Sequence, residues 1–209
     1  MSSPRRYLPL LAELDAWHDA AKATHPDTIP CRVGCTQCCR GPFDISIADA
    51  ELLIEAVETL PLPAREEVRR AATRQVEAMT ALEPGWEAPF DIAAIGDARF
   101  DRISDALATL PCPLLDQHGA CRIYDRRPMI CRLMGLPLVT ESGDVIENGC
   151  PIMDQFPDYA ALAPRPFPLE RWEEGERVAN QVAAGRLLGD PAWHRFETSI
   201  AAAIVTWLH

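Results

Sequence analysis

The chain has 209 residues, 48% of them apolar and 24% charged, with a formal net charge of -11. That length and composition suit one substantial core, or one domain with a smaller appendage, and the acidity argues against a general nucleic-acid or anionic-membrane binder. No run approaches the roughly 18 apolar residues of a membrane span, and the basic start is followed by an apolar stretch broken by Glu13 and Asp15, unlike a secretory signal. The chain therefore reads as cytoplasmic, in a compartment where thiols stay reduced.

In chain order, residues 7–24 form the first predicted helix. Leu8, Leu11, Leu14, Trp17 and Ala21 recur at three- and four-residue spacing, and Pro26 ends it. His18 and His25, on or after this helix, read as surface or satisfied groups. A turn-rich segment between Pro30 and Gly41-Pro42 then carries Cys31, Cys35, Cys38 and Cys39. Ser46 precedes an apolar-periodic run over 47–60, with Asp49 three residues on, as in a capping box with a shortened acid; Pro61 and Pro63 close this helix. A third helix is expected over about 64–82, its charged face solvated and laced by Glu66–Arg70 and Glu67–Arg70. Residues 83–96 read as a loop with Trp86 and Phe90 packed inward, and 97–110 as a helix.

Asp116-Gln117-His118-Gly119 reads as a tight turn. Its flanks, 113–115 and 121–124, are expected to pair as a short hairpin, and a second hairpin joins 136–139 to 145–146. Beyond it the chain turns helical again: a short helix over 153–162, a stiff connector with Pro164, Pro166 and Pro168, a helix over 169–188 closed by Gly189, and a last helix over 191–208. The apolar run 200–208 covers a core or forms a dimer contact, core packing being the commoner use. The expected fold is mainly α (α+β): one domain over 1–209, with small β-hairpins around a cysteine-ligated metal site, a cysteine-cluster core over 31–150 and a helical C-terminal extension over 151–209.

All eight cysteines fall into two blocks. The first reads C-x3-C-x2-C-C; the second spreads Cys112, Cys121, Cys131 and Cys150 along the chain. Short spacings let one turn supply two or three thiolates, and a remote segment then closes a tetrahedron around zinc. Four cysteines hold an iron–sulfur cluster by the same logic. A disulfide framework suits small secreted chains instead, and cysteines used as small hydrophobes account for one or two of the eight but not for the first block. The radical S-adenosylmethionine enzymes share C-x3-C-x2-C, but they set an aromatic residue where Gln37 stands here and need a repeated strand–helix barrel. Adjacent Cys38 and Cys39 would face opposite sides of an extended backbone, and so would serve different metals or supply only one ligand. Eight thiolates fill two sites, or one site with spare thiols; the spacing leaves both open. His118 is the one histidine to watch as a ligand, although a turn role is commoner.

Nineteen of the twenty basic residues are arginine. Arg32, Arg40, Arg122, Arg126, Arg127 and Arg132 flank the cysteines, where they either offset thiolate charge or serve as ordinary surface charges. Tyr124 offers a packed ring with a hydrogen-bonding hydroxyl. Arg127-Pro128 starts the turn toward Cys131. Arg132 either donates to a sulfur or a backbone carbonyl or pairs with an acid such as Asp125.

The first block, C-P-x-L at 112–115, C-x-I-Y at 121–124, R-P-x2-C-R at 127–132 and the final Cys150 resemble the cysteine-cluster family of zinc- or iron-chelating domains. The resemblance spans roughly 31–150 and implies a small, mainly helical domain that chelates zinc or iron. A related cluster occurs in flagellin lysine methylases, where iron–sulfur binding is implied; no methyl-donor site is visible here, so that activity is not carried over. The first functional reading is a metal-binding module with a structural, storage or delivery role, since no Ser/His/Asp or phosphate-loop motif stands beside the cysteines. The second is an iron–sulfur protein with redox or enzymatic activity, oxidoreductase- or methylase-like. A third is a thiol redox sensor using spare cysteines such as Cys39. Zinc or iron, as an ion or in an iron–sulfur cluster, is the expected partner, with room for a protein partner or a homo-oligomer. Catalytic residues are not assigned.

Overall fold

The computed structural model describes residues 3–31 and 34–209, with side chains from Tyr7 onward in the first helix. The first helix, α1 (Ser3–Thr24), turns Tyr7, Leu11, Leu14 and Ala21 inward, as the spacing of its apolar residues dictates. It lies against α2 (Ile47–Glu58), α6 (Met129–Leu133) and α8 (Leu169–Leu187). α2 is the most enclosed element, with Ile47 through Ile54 and Val57 buried. A helix apolar nearly all round has to be covered on every side, and α1, α8 and α9 (Ile200–Trp207) supply that cover.

The amphipathic α3 (Leu62–Leu82) buries Val68, Ala72, Val76 and Met79 and packs chiefly on α9. Glu66 and Arg70 form the expected pair, but Glu67 reaches Arg122 rather than Arg70. The stretch expected as loop over 83–96 does bury Trp86 and Phe90. It also contains one short helix, α4 (Ile92–Ile95), because the Asp91 carboxylate accepts the Ala93 N–H and nucleates a turn. α5 (Asp97–Ala106) follows and stops short of the expected end at 110.

Two small sheets tie distant segments together. β1 (Asp44–Ser46) pairs antiparallel with β5 (Glu197–Ser199), Ile45 opposite Thr198. The expected hairpin of β2 (Leu138–Val139) and β3 (Val145–Ile146) is present, and β4 (Arg165–Pro166) adds in parallel to β2. The first expected hairpin reduces to one bridge between Leu115 and Cys121. Met153 and Leu162 bracket a 3-10 turn and the single-turn α7 (Pro157–Ala160), rather than one helix. The last predicted helix over 191–208 is likewise broken: a 3-10 turn over Pro191–Trp193 leads into β5, and α9 starts only at Ile200. The cause is Ser199, whose hydroxyl accepts the Ala202 N–H and caps α9, leaving Glu197-Thr198-Ser199 free to pair with β1.

Mainly α with small β elements is therefore the observed class. No helix among the described residues is long and apolar enough to cross a membrane. The buried side chains form one large cluster running from Tyr7 to Leu208. A second, small one consists of Ala21, Ile29, Leu136 and Tyr159. Cysteines edge both.

Candidate metal centre

The first cysteine block is held in a turn, not in extended backbone. The Cys39 N–H donates to the Thr36 carbonyl at 3.1 Å. Cys38 and Cys39 therefore do not sit in the extended backbone on which the expectation of opposite faces rested. The block is stitched to the second one: the Cys112 N–H donates to the Cys39 carbonyl at 2.9 Å, Gly41 donates to Leu110 at 2.7 Å, and Arg40 bridges Pro111. Gly41 is needed for this approach. Its φ is +79°, and a Cβ there would lie 3.3 Å from the Ala108 backbone.

Cys121 follows the tight turn, whose Asp116 carboxylate accepts the His118 and Ala120 N–H groups, both at 2.8 Å. Those two donors hold this exposed carboxyl below the ordinary range. Cys131 sits in α6, which Pro128 starts, as the Arg127-Pro128 reading expected. The Met129 N–H at the head of α6 donates to the buried Asp49 carboxylate at 3.1 Å. Cys150 follows β3; its loop is fastened by the Gly135 N–H to the Asn148 carbonyl at 2.7 Å and by Asn148 Nδ2 to Leu136.

All eight cysteines are free and half-buried, and they gather in two neighbourhoods. Cys112, Cys121 and Cys131 pack against the large core, while Cys31 and Cys150 pack against the small one. Electrostatics trace the same division. Burial pushes Cys112 up to about 12, with Cys121 and Cys38 adding to it. Burial raises Cys131 well above its ordinary value, helped by Cys112, Asp49, Cys121 and Cys38. Cys31 is raised by burial and then by Cys150, Cys35 and Cys38. Cys38 adds to the upward push on Cys112, Cys131 and Cys31, and its own thiol is raised first by the adjacent Cys39 thiol and then by burial. Among the described residues, no three His, Cys, Asp or Glu side chains are gathered tightly enough to hold an ion as they stand. The donor chemistry nevertheless fits a thiophilic metal: eight free thiols with no disulfide among them, five of them at the edges of the two apolar clusters. His118 belongs to neither group; it is exposed in its turn, 3.2 Å from Gln117 Nε2.

The flanking arginines are largely occupied by acids. Buried Arg132 pairs with Asp15 and donates to the Arg127 and Asp125 carbonyls at 3.0 and 3.1 Å. Its carbonyl reading holds, and its ion pair is with Asp15 rather than the Asp125 carboxylate. Arg127 pairs with Asp15 at 2.6 Å and lies over the Tyr124 ring, 4.2 Å from its centroid. Tyr124 is 59% exposed, so it is a platform for that guanidinium and not a packed ring. Arg122 takes Glu67, and Arg40 reaches the Thr109 carbonyl. Arg127 still eases the Cys121 thiol downward against the push of burial. Arg32 lies outside the described residues.

Two groups escaped the sequence reading. Asp49, read as a capping acid, is 2% exposed; its carboxylate accepts from Tyr7 at 3.0 Å and from Met129, while Ser46 takes the Asp49 N–H. Tyr7 also donates to Glu176 at 3.1 Å, and Asp49 and Glu176 line a cleft of about 610 Å³ together with Glu197 and Arg177. The other is Tyr159, 1% exposed, whose hydroxyl stands beside Cys31 and Cys150. No spacing rule points to these pairings, since Asp49 meets Tyr7 and Met129 across 42 and 80 residues and Tyr159 meets Gly135 across 24.

A family model described as "Putative zinc- or iron-chelating domain" and named CxxCxxCC matches residues 30–151. No curated protein and no solved structure matches the chain.

Proposed function

The chain belongs to the CxxCxxCC family of zinc- or iron-chelating domains, and from that premise we propose that it binds zinc or iron through all eight of its cysteines. Cys112, Cys121 and Cys131 serve one neighbourhood, Cys31, Cys35 and Cys150 the other, and Cys38 and Cys39 stand between them. The observation that carries this reading is the gathering of free thiols from four remote segments at the edges of two apolar clusters. Without a metal, that many half-buried thiols fill no polar need of the fold; with one, their deprotonation and ligation add binding free energy to folding. The role is structural, storage or delivery, in a reducing compartment such as the cytoplasm.

When bound, the metal supplies a thiolate-ligated centre, redox-silent if zinc and redox-active if iron. The chain's contribution is to hold the sulfurs half-buried while keeping its arginines paired to Asp15 and Glu67. The test is metal analysis with an absorption spectrum on protein purified without air. About one or two zinc ions per chain and no colour support the closed site. Iron with matching acid-labile sulfide and a brown colour selects the iron–sulfur alternative. Neither metal at any significant occupancy rejects both.

A further inference from the structure

Tyr159 lies beyond the segment the family model covers, yet its hydroxyl stands at Gly135 beside Cys31 and Cys150. The single-turn α7 carries it, and its ring completes the small apolar cluster with Ala21, Ile29 and Leu136. The hydroxyl donates to the Gly135 carbonyl. Gly135 marks the crowding at this point. Its φ is +91°, and a Cβ there would lie 3.8 Å from both the Cys31 sulfur and the Cys150 Cβ while running into the Tyr159 oxygen. Hydroxyl and both cysteines therefore surround one spot that only glycine leaves open.

A phenol has one proton to donate. While Cys31 and Cys150 are thiols, their sulfurs are weak acceptors and the carbonyl is the better partner. As thiolates they become charged acceptors, and charge-assisted hydrogen bonds are roughly twice as strong as neutral ones. We propose that Tyr159 is a positioning residue for the Cys31–Cys150 side of the metal centre, its hydroxyl moving from the Gly135 carbonyl to one of these sulfurs when they ligate. The bond orients that sulfur and withdraws electron density from it. This rests on the metal-binding reading above.

The experiment compares wild type with Tyr159→Phe, which keeps the ring in its apolar cluster and removes only the hydroxyl. Zinc affinity is read by competition with a chromophoric chelator, and cobalt(II) loading by its thiolate charge-transfer band. The expected result is a loss of about tenfold or more in zinc affinity, the usual effect of removing a partner of a metal ligand, with the cobalt band moved to longer wavelength because that sulfur is more electron-rich. A purely structural role would not move the band. Equal affinity and an identical band in the variant overturn the inference while leaving the metal reading intact. A wild type that takes up neither zinc nor cobalt overturns both. Should Tyr159→Phe fail to fold, the tyrosine Raman doublet of a Tyr124→Phe protein with and without zinc decides the matter. The doublet is expected to shift on zinc addition, and an unchanged doublet overturns the inference.

Discussion

Asp15 answers two guanidinium groups at once, Arg127 and the buried Arg132, and through them it holds the Cys131 helix against α1. Removing it strands a cation that is 3% exposed. Asp15→Ala is expected to cost about 2 kcal/mol in urea unfolding, at the low end for a broken buried pair because Asp15 itself is partly solvated and Arg132 keeps two carbonyls. A loss below about 0.5 kcal/mol would assign the pair to the surface class. Asp49 makes a different forecast. Burial, then Glu176, pushes its carboxyl up to about 7, against the pull of Tyr7 and Met129. A raised folded value means that the folded chain keeps a proton the unfolded chain has released. Stability therefore falls as pH rises through roughly 4 to 7, by up to about 1.4 kcal/mol per unit, and is flat above. In metal-free protein, Asp49→Asn should narrow the difference between urea midpoints at pH 4.5 and pH 7; an unchanged difference would show that other groups set the slope.

Helices were legible where apolar residues repeat with the helical period and a stop residue follows. α1 and α8 were found by Leu11, Leu14 and Gly189, and α2 by Ser46 and the run behind it. The strands were harder, because three residues are too few to display a period. Glu197-Thr198-Ser199 was absorbed into a helix that its tertiary partner β1 forbids. The structure pairs two similar units here: Asp44-Ile45-Ser46-Ile47 and Glu197-Thr198-Ser199-Ile200 each run strand, capping serine, helix, side by side and antiparallel. Ser199→Ala should lower stability by about 1 kcal/mol through loss of the α9 cap, measured as a shift in urea midpoint without a change in slope. The sequence lists the candidate thiols and shows that Cys31, Cys35, Cys38 and Cys39 share one turn-rich segment. That Cys112, Cys121 and Cys131 edge one apolar cluster and Cys31 and Cys150 the other was not legible, since it depends on tertiary packing.

The large cluster draws on helices from both ends of the chain, with β5 and α9 closing over β1, α2 and α3. Cys112, Cys121 and Cys131 lie at its rim and Cys31 and Cys150 at that of the small cluster, mostly on turns and short elements. Stripping metal with a strong chelator is therefore expected to lower the melting temperature and open all eight thiols to alkylation, while far-ultraviolet circular dichroism stays near its starting value. Complete loss of helical signal would instead make the metal the keystone of the whole fold. The same layout sets a timetable for synthesis. Cys39, the last thiol of the first block, and Cys150 are separated by about 110 residues, which a ribosome translating at about 5–20 residues per second takes roughly 6–22 s to cross. Until Cys112 emerges the nascent chain displays four closely spaced thiols alone, and Cys121, Cys131 and Cys150 then join one at a time. On the proposed metal-binding reading, an ion met in that interval is held by a partial donor set, so the growing chain has a window for exchanging one metal for another that shuts when Cys150 arrives.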